Sequence, residues 1–286
     1  MPRVALVSGC SSGIGRAISH SMAEAGWSVY AGGRSAPDRE ALAEAGCIPV
    51  ALDVCDEQQC ETAVAQAQSE NGWIDALVNN AGFGLHGAVE DVSLDDARRQ
   101  FETNFFSIAR LCQLVLPAMR ARKRGHIINM SSMGGRITFP RGAFYHASKH
   151  ALEAFSDALR FETSGFGVRI VLIEPGPVRS GFGKTGISTI RKEGLDPAYD
   201  ALRDSIRSGL KSTYEGAGSE LSSTPEEVAA VCLRALDTPD PEPRYVVGGM
   251  AESLIEQRHR EGDAAWDRFL EGLYALPGAG DSEPSG

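Results

Sequence analysis

The first 180 residues alternate short apolar runs with longer amphipathic stretches, and this alternation limits the fold more than any other feature. The apolar runs have the length and continuous hydrophobicity of strands buried on both faces. Such strands are predicted at residues 4–7, 27–31, 48–52, 74–78, 125–130 and 168–173. Helices are predicted at residues 13–25, 36–45, 56–70, 94–122 and 144–164. Strand–helix–strand units of this spacing predict an α/β protein with a doubly wound parallel sheet and helices on both faces.

The rhythm changes after residue 175, where residues 179–223 are rich in Gly, Ser, Lys and Arg and show helical character at 196–210. A helix is predicted to begin at Thr224, a seventh strand at 244–247, and a helical extension at 251–276. Residues 277–286 have the composition of a disordered tail. A length of 286 residues permits two domains, but the order of the elements assigns residues 1–250 to one domain.

Composition excludes several classes of protein. With 42% hydrophobic and 23% charged residues, the chain can bury a core and is not globally disordered. A net charge of −10 argues against nucleic-acid or anionic-membrane binding. No apolar run approaches the roughly 20 residues of a membrane span, and the N-terminus lacks a signal-peptide pattern. Six scattered cysteines and isolated histidines predict reduced thiols, a cytoplasmic location and no metal site.

A glycine-rich turn connects the first predicted strand to the first predicted helix. Glycines alone indicate only an ordinary turn, but this one stands at the first strand-to-helix turn of a βαβ series. There, backbone N–H groups at the helix start can bind a pyrophosphate. We therefore expect a dinucleotide to be bound by Gly9, Ser11, Ser12, Gly13, Ile14 and Gly15.

The residues after the second strand bear on the choice of dinucleotide. A carboxylate at this point binds the ribose 2′-OH of NAD, whereas an Arg pairs with the 2′-phosphate of NADP. The sequence places Arg34 here, and no acidic residue occurs before Asp38. A surface Arg without a ligand is the alternative. We expect NADP(H), held by Arg34, with Ser11 or Ser12 adding a hydroxyl to the same phosphate.

Tyr145 and Lys149 are spaced to share one face of the helix predicted at 144–164. This spacing is common by itself, but here it follows the fifth strand, and Ser132 lies 13 residues upstream of Tyr145. A carbonyl that accepts a hydride needs a proton on its oxygen, and a neighbouring Lys is expected to lower the pKa of a Tyr that provides it. A Ser hydroxyl can hold the carbonyl oxygen beside the Tyr.

Five motifs, in this order, resemble those of the short-chain dehydrogenase/reductase family over residues 3–250. They are the glycine turn (with Ser8 where the family usually has Thr), Asp53-Val54, Asn79-Asn80-Ala81-Gly82, Ser132 with Tyr145 and Lys149, and Pro175-Gly176-Pro177-Val178-Arg179-Ser180. The resemblance implies a single-domain Rossmann fold. It also implies catalytic roles for Ser132, Tyr145 and Lys149, and a proton relay through Asn104. Ser131 is the rival for the serine role.

The resemblance extends to the rest of the cofactor site. It implies that Asp53 and Val54 contact the adenine, and that Asn80, Ala81 and Gly82 line the cofactor site. It implies that Val178 contacts the nicotinamide amide through its backbone, within the segment that includes Pro175, Gly176 and Ser180. Tyr145 and Lys149 are expected to contact the cofactor as well.

The segment 179–223 occupies the place of the family's substrate lid. Apolar residues that could line a substrate pocket are Phe182, Ile187, Ile190, Leu195, Tyr199, Phe83, Leu85, Met133, Phe139 and Phe144. The resemblance is to the branch that handles hydroxysteroids, retinoids and similar lipophilic carbonyls. It predicts an NADPH-dependent reductase, or the reverse alcohol dehydrogenase, that forms a homodimer or homotetramer. The alternatives are a catalytically silent NADP-binding regulator and an epimerase or dehydratase.

Overall fold

The protein is described by a computed structural model over residues 2–190, 196–215 and 220–274. Seven parallel strands form one sheet in the order β3-β2-β1-β4-β5-β6-β7. The strands are β1 Val4–Val7, β2 Ser28–Gly33, β3 Ile48–Ala51, β4 Ala76–Asn79, β5 Gly125–Met130, β6 Val168–Pro175 and β7 Arg244–Val247. This confirms the predicted doubly wound α/β fold, including the seventh strand.

Eleven α-helices occur in the described ranges and follow the predicted alternation. They are α1 Gly13–Glu24, α2 Ala36–Glu44, α3 Glu57–Asn71, α4 Leu94–Phe101, α5 Ser107–Arg122, α6 Ala143–Thr163, α7 Phe182–Thr189, α8 Asp200–Glu215, α9 Pro225–Asp237, α10 Gly249–Glu261 and α11 Asp263–Leu273. The prediction that residues 94–122 are helical is confirmed. Within this range a π-helical segment, Glu102–Phe106, joins α4 to α5. Such wider turns are frequent at functional sites, and this one carries the buried Asn104.

Both faces of the sheet are covered because successive strand residues point to opposite sides. In β1, Ala5 and Val7 belong to a core formed with α1 and α9, whereas Val4 and Leu6 belong to a core formed with α3, α5 and α6. The short apolar runs therefore become two-sided buried strands. The carboxyl ends of these strands all meet at one edge of the sheet, where ligands of such folds bind.

The segments that follow β6 are built over that edge. Helices α7 and α8 share a small apolar core with a 3₁₀ turn at Pro197–Tyr199. The predicted extension after residue 250 consists of α10 and α11, which pack Ile255 and Trp266 against Ile137. The predicted boundary at residue 250 stays a prediction, and the predicted tail 277–286 lies outside the described residues. Within the described ranges, no helix is long and apolar enough to cross a membrane.

Candidate active site

A cavity of about 1220 Å³ runs along the carboxyl ends of the strands. The loops after β1 to β6 border it, together with α7, α8 and the two C-terminal helices. Most of the residues predicted from the sequence line it: Gly9, Ser11, Ser12, Gly13, Ile14, Arg34, Asp53, Val54, Asn80, Ala81, Gly82, Ser132, Tyr145, Lys149, Pro175, Gly176, Val178 and Ser180. Two predicted residues, Gly15 and Asn104, lie outside its lining and have other contacts.

The glycine turn has the geometry of an anion site. Gly9 and Gly13 adopt φ values of 71° and 54°, which a residue with a side chain rarely adopts. Ser12 precedes α1 without a side-chain capping bond, and the first turn of α1 carries no acidic residue. The N–H groups there are free to face a phosphate. These donors fit the pyrophosphate of a dinucleotide.

The predicted cofactor contact of Gly15 stays a prediction, and the structure shows that this glycine also has a packing role. A Cβ at Gly15 would lie 2.2 Å from the Gly9 carbonyl oxygen, so only glycine lets α1 approach the turn. The turn is also tied to β4 through Ser8, whose hydroxyl accepts hydrogen bonds from the N–H groups of Asn80 and Ala81, each at 3.1 Å. Because the hydroxyl alone makes these bonds, Ser serves in place of the family's Thr.

An acidic residue stands beside the phosphate end of the cavity, which is the end that Arg34 lines. Arg34 is exposed there, and its binding of a 2′-phosphate stays a prediction. Asp38, in the first turn of α2, forms a capping box with Ser35. Hydrogen bonds with Ser35 and Ser11, and the charge of Arg34, lower the pKa of the Asp38 carboxyl. A carboxylate and a guanidinium therefore stand side by side at this end.

Tyr145 and Ser132 meet at the opposite end of the cavity. Ser132 follows β5, and its Oγ accepts a hydrogen bond from the Gly134 N–H at 3.0 Å. Burial raises the pKa of Tyr145, while a hydrogen bond with Ser132 lowers it. The rival, Ser131, donates its hydroxyl to the buried carboxylate of Glu153. The geometry therefore favours Ser132 for the serine role.

Lys149 is buried one turn after Tyr145 on α6, as the spacing predicted. Its Nζ donates a hydrogen bond of 2.7 Å to the Met130 carbonyl at the end of β5. Burial lowers the pKa of Lys149 to about 8, against an opposing effect of Glu153. The expected fall in the pKa of Tyr145 is not the net result, because burial of the phenol outweighs the opposing interactions.

Asn104 is completely buried in the π-helical segment. Its amide accepts a hydrogen bond from the Phe83 N–H at 3.1 Å and donates to the Phe83 carbonyl at 3.0 Å. A further bond of 3.3 Å reaches the Ser148 hydroxyl. Asn104 therefore fixes the loop after β4 against α6, and its part in a proton relay stays a prediction.

A buried ionic cluster beneath the site was missed by sequence reasoning. Glu174, at the end of β6, is fully buried and pairs with Arg136 at 3.3 Å and Arg244 at 3.2 Å. Arg244 also pairs with Glu153, one turn after Lys149, at 3.0 Å. Burial and the charge of Glu153 raise the pKa of Glu174. No local motif signals this cluster, because its members come from separate elements.

The predicted pocket residues divide into three groups. Phe83, Met133, Phe139 and Phe182 line the cavity. The others do not: Leu85 is buried, Phe144 borders a separate groove, and Ile187, Ile190 and Tyr199 pack in the small core shared by α7 and α8. Leu195 lies outside the described residues. The remaining wall comes from the C-terminal region, whose role the sequence did not reveal: Met250, Leu254, Phe269, Leu273 and Tyr274.

Related proteins share this arrangement of elements. The family model for short chain dehydrogenases matches residues 3–189. The 3-ketodihydrosphingosine reductase of Bacteroides thetaiotaomicron is 34% identical, over 89% of this chain and 91% of the relative. Retinol dehydrogenase 8 of Bos taurus is 35% identical, over 84% of this chain and 80% of the relative. A solved short-chain dehydrogenase from Streptomyces avermitilis is 32% identical, with a TM-score of 0.80 over 95% of this chain and 99% of its own. The chain therefore belongs to the short-chain dehydrogenase/reductase family of oxidoreductases.

Proposed function

We propose that the protein is an NADP(H)-dependent oxidoreductase that reduces a bulky, lipophilic ketone or aldehyde, or oxidises the corresponding alcohol. The convergence of Ser132, Tyr145 and Lys149 in one cavity with an anion-binding glycine turn carries this proposal. The names of two relatives, a retinol dehydrogenase and a ketodihydrosphingosine reductase, support a lipophilic substrate. The aromatic walls at Phe139 and Phe182 support it as well.

The proposed chemistry divides between the cofactor and the side chains. When bound, NADPH supplies the hydride that the carbonyl carbon accepts. The Tyr145 hydroxyl holds the proton that the carbonyl oxygen takes, and Ser132 orients that oxygen by a hydrogen bond. Lys149, with its pKa lowered to about 8, exchanges protons near neutral pH and stabilises the Tyr145 phenolate. In the reverse direction the phenolate accepts the proton of the alcohol.

We assign the cofactor contacts by position along the cavity. The glycine turn with Ser11 and Ser12 would hold the pyrophosphate, and Arg34 the 2′-phosphate. Asp53 and Val54 follow β3 and would border the adenine. Val178, which forms a parallel bridge with Ser223, would present its backbone to the nicotinamide amide. NADPH rather than NADH is the proposed partner because Arg34 is a cation at the required place.

We also propose a cytoplasmic homodimer or homotetramer, associated through the helices on either side of the π-helical segment and through α6. Phe106 is 51% exposed and Phe161 is 72% exposed, and aromatic side chains at that exposure suit a subunit contact. Light scattering of the wild type against a Phe106→Ser, Phe161→Ser double variant tests this. A monomeric wild type would contradict it.

The decisive experiment follows NADPH oxidation with a panel of bulky ketones and the Tyr145→Phe variant. We expect turnover by the wild type and a loss of at least about 10³-fold in the variant, with NADPH binding retained. Tyr199→Phe is the matched control, since Tyr199 bonds Glu90 away from the cavity. Full activity in Tyr145→Phe would refute the assignment.

The same measurements distinguish the alternative functions. Cofactor binding without turnover of any carbonyl would favour a silent regulator. Product formation without net cofactor change would favour an epimerase or dehydratase.

A further inference from the structure

Two buried polar atoms at the substrate end of the cavity have no hydrogen-bond partner: Nη1 of Arg141 and Nδ1 of His86. Arg141 lies just before α6, and His86 lies in the loop after β4. The Gly87 N–H joins the two segments by donating to the Arg141 carbonyl at 2.8 Å. The His86 ring centroid lies 6.4 Å from that of Tyr145. The His86 ring is therefore held near Tyr145, and Arg141 lies in the segment bonded to the His86 loop.

The conformation of Arg141 is costly in the free protein. Its φ of 97° is rare for a residue with a side chain, and a buried N–H of a cation without an acceptor is unfavourable. Costs of this kind persist where a function compensates them. A ligand that accepts a hydrogen bond from Nη1 would remove the second cost.

The Arg141 guanidinium packs between α8 and the C-terminal wall of the cavity. A Cβ at Gly209, on α8, would lie 2.8 Å from Nη1, so glycine makes space for the guanidinium beneath the lid. The Tyr274 ring lies across from the guanidinium carbon, 5.7 Å from it. Arg141 thus lies between α8 and the C-terminal wall, in a cavity that Phe139 and Phe182 also line.

The charge balance at this end of the cavity is positive. Of the described residues that line the cavity, only Asp53 and Glu102 are acidic. Both lie near the loop after β3: Asp53 accepts from the Cys55 N–H, and Glu102 pairs with Arg110, which also donates to the Val54 carbonyl. Burial, then the charge of Arg141, lowers the pKa of His86 to about 3. His86 is therefore neutral, and among the described residues no acidic side chain that lines this end of the cavity faces Arg141.

We propose that Arg141 binds a carboxylate of the substrate through its guanidinium. The substrate class is then an amphipathic oxo acid, with its carbonyl at Tyr145, its apolar body beside Phe139 and Phe182, and its carboxylate at Arg141. This inference rests on the proposed reductase function and narrows its substrate. A guanidinium paired with a carboxylate away from bulk water also gives strong selection against neutral analogues.

Direct binding tests the carboxylate site without turnover. The NADP⁺-loaded protein is titrated calorimetrically with phenylalkanoates of increasing chain length, each compared with its methyl ester. At the best length we expect the acid to bind at least about 10-fold more tightly than the ester. Arg141→Met should abolish this ratio, and so should Arg141→Gly, which suits the positive φ and keeps the fold unstrained. Arg160→Met, an exchange on α6 outside the cavity, should preserve it.

Turnover separates this inference from the function on which it rests. The kcat/KM ratio of oxo acids to their methyl esters should exceed about 10 in the wild type and fall at least about 10-fold in Arg141→Met. Reduction of neutral ketones with no preference for acids, in wild type and variant alike, would overturn the carboxylate site and leave the reductase intact. Arg141-dependent binding of carboxylates without reduction of any carbonyl would refute the reductase and retain the site.

Discussion

The two ends of the cavity differ in how far their ionisable groups are exposed to solvent. At the catalytic end Lys149 is buried and Tyr145 is half-buried, and burial shifts the pKa of each in the direction that favours its neutral form. At the phosphate end Arg34 is exposed and Asp38 is half-buried, so water and salt screen their charges. Substitutions at the catalytic end should therefore change activity and stability strongly. Substitutions at the phosphate end should change only the preference between the two cofactors.

Among substitutions at the two ends of the cavity, Lys149→Met should have the largest effect. We expect activity to fall by at least about 10³-fold, because the cation proposed to stabilise the Tyr145 phenolate is removed. The free energy of unfolding should rise by about 2 kcal/mol at pH 7, since a buried cation with a lowered pKa is removed while one hydrogen bond is lost. Kinetics and thermal unfolding measure the two changes. An exchange of the exposed Lys211 to Met should produce neither.

The stability gain of Lys149→Met should depend on pH, because the pKa of Lys149 is lower in the folded protein than in the unfolded chain. The folded pKa of Lys149, about 8, lies below its usual 10.5, so the unfolded chain binds more protons between these values. The wild type therefore gains stability as the pH rises from about 8 to 10.5. The advantage of Lys149→Met should be complete below pH 8 and disappear above pH 10.5. A stability difference between Lys149→Met and the wild type that does not change with pH would show that burial does not lower the pKa of Lys149.

The two adjacent serines after β5 should respond differently to substitution, although both lie at the catalytic end. Ser132→Ala should lower kcat/KM by about 10²-fold, since it removes the group that orients the carbonyl oxygen. Ser131→Ala should act mainly on stability, because it leaves the buried carboxylate of Glu153 without its hydroxyl donor. Steady-state kinetics and denaturant unfolding of both variants separate these effects. The reverse pattern would give the serine role to Ser131.

The sequence predicted best what local patterns determine. The strands were predictable because two-sided burial makes them continuously apolar, and the spacing of Tyr145 and Lys149 reports one helical face. The π-helical segment around Asn104 was not predictable, because a single wider turn leaves the apolar periodicity of the helix almost unchanged. The approach of Glu174 to Glu153 depends on strand order and helix packing, which no short motif encodes.

The lid and the C-terminal wall show the same limit in the substrate region. Ile187 and Ile190 have the composition of pocket residues, yet they pack into the lid's own core. Leu254 and Phe269 have the pattern of an ordinary amphipathic extension, yet they line the cavity. Apolar character specifies that a side chain is buried, whereas only the tertiary structure specifies against what.

At the phosphate end, Arg34→Glu should change cofactor preference by a moderate amount. We expect the ratio of kcat/KM for NADPH to that for NADH to fall at least about 10-fold, because a cation that pairs with the 2′-phosphate becomes an anion that repels it. The effect should weaken as salt is added, since the site is exposed. Arg39→Glu is the comparison, because Arg39 donates to the Gly33 and Arg34 carbonyls rather than lining the cavity. Equal losses with both cofactors would refute the assignment of Arg34.

Asp38→Asn should give the smallest effect and the opposite sign. Removing a carboxylate beside Arg34 frees the guanidinium, so the NADPH-to-NADH ratio should rise by about 2- to 5-fold at low salt. The Asn side chain can still accept from the Ser35 N–H, so the start of α2 is preserved. The double variant Arg34→Glu, Asp38→Asn separates the two charges: the effect of Asp38→Asn should shrink without the guanidinium beside it. A fall in the ratio on Asp38→Asn would mean that the carboxylate positions Arg34 for the phosphate instead of competing with it.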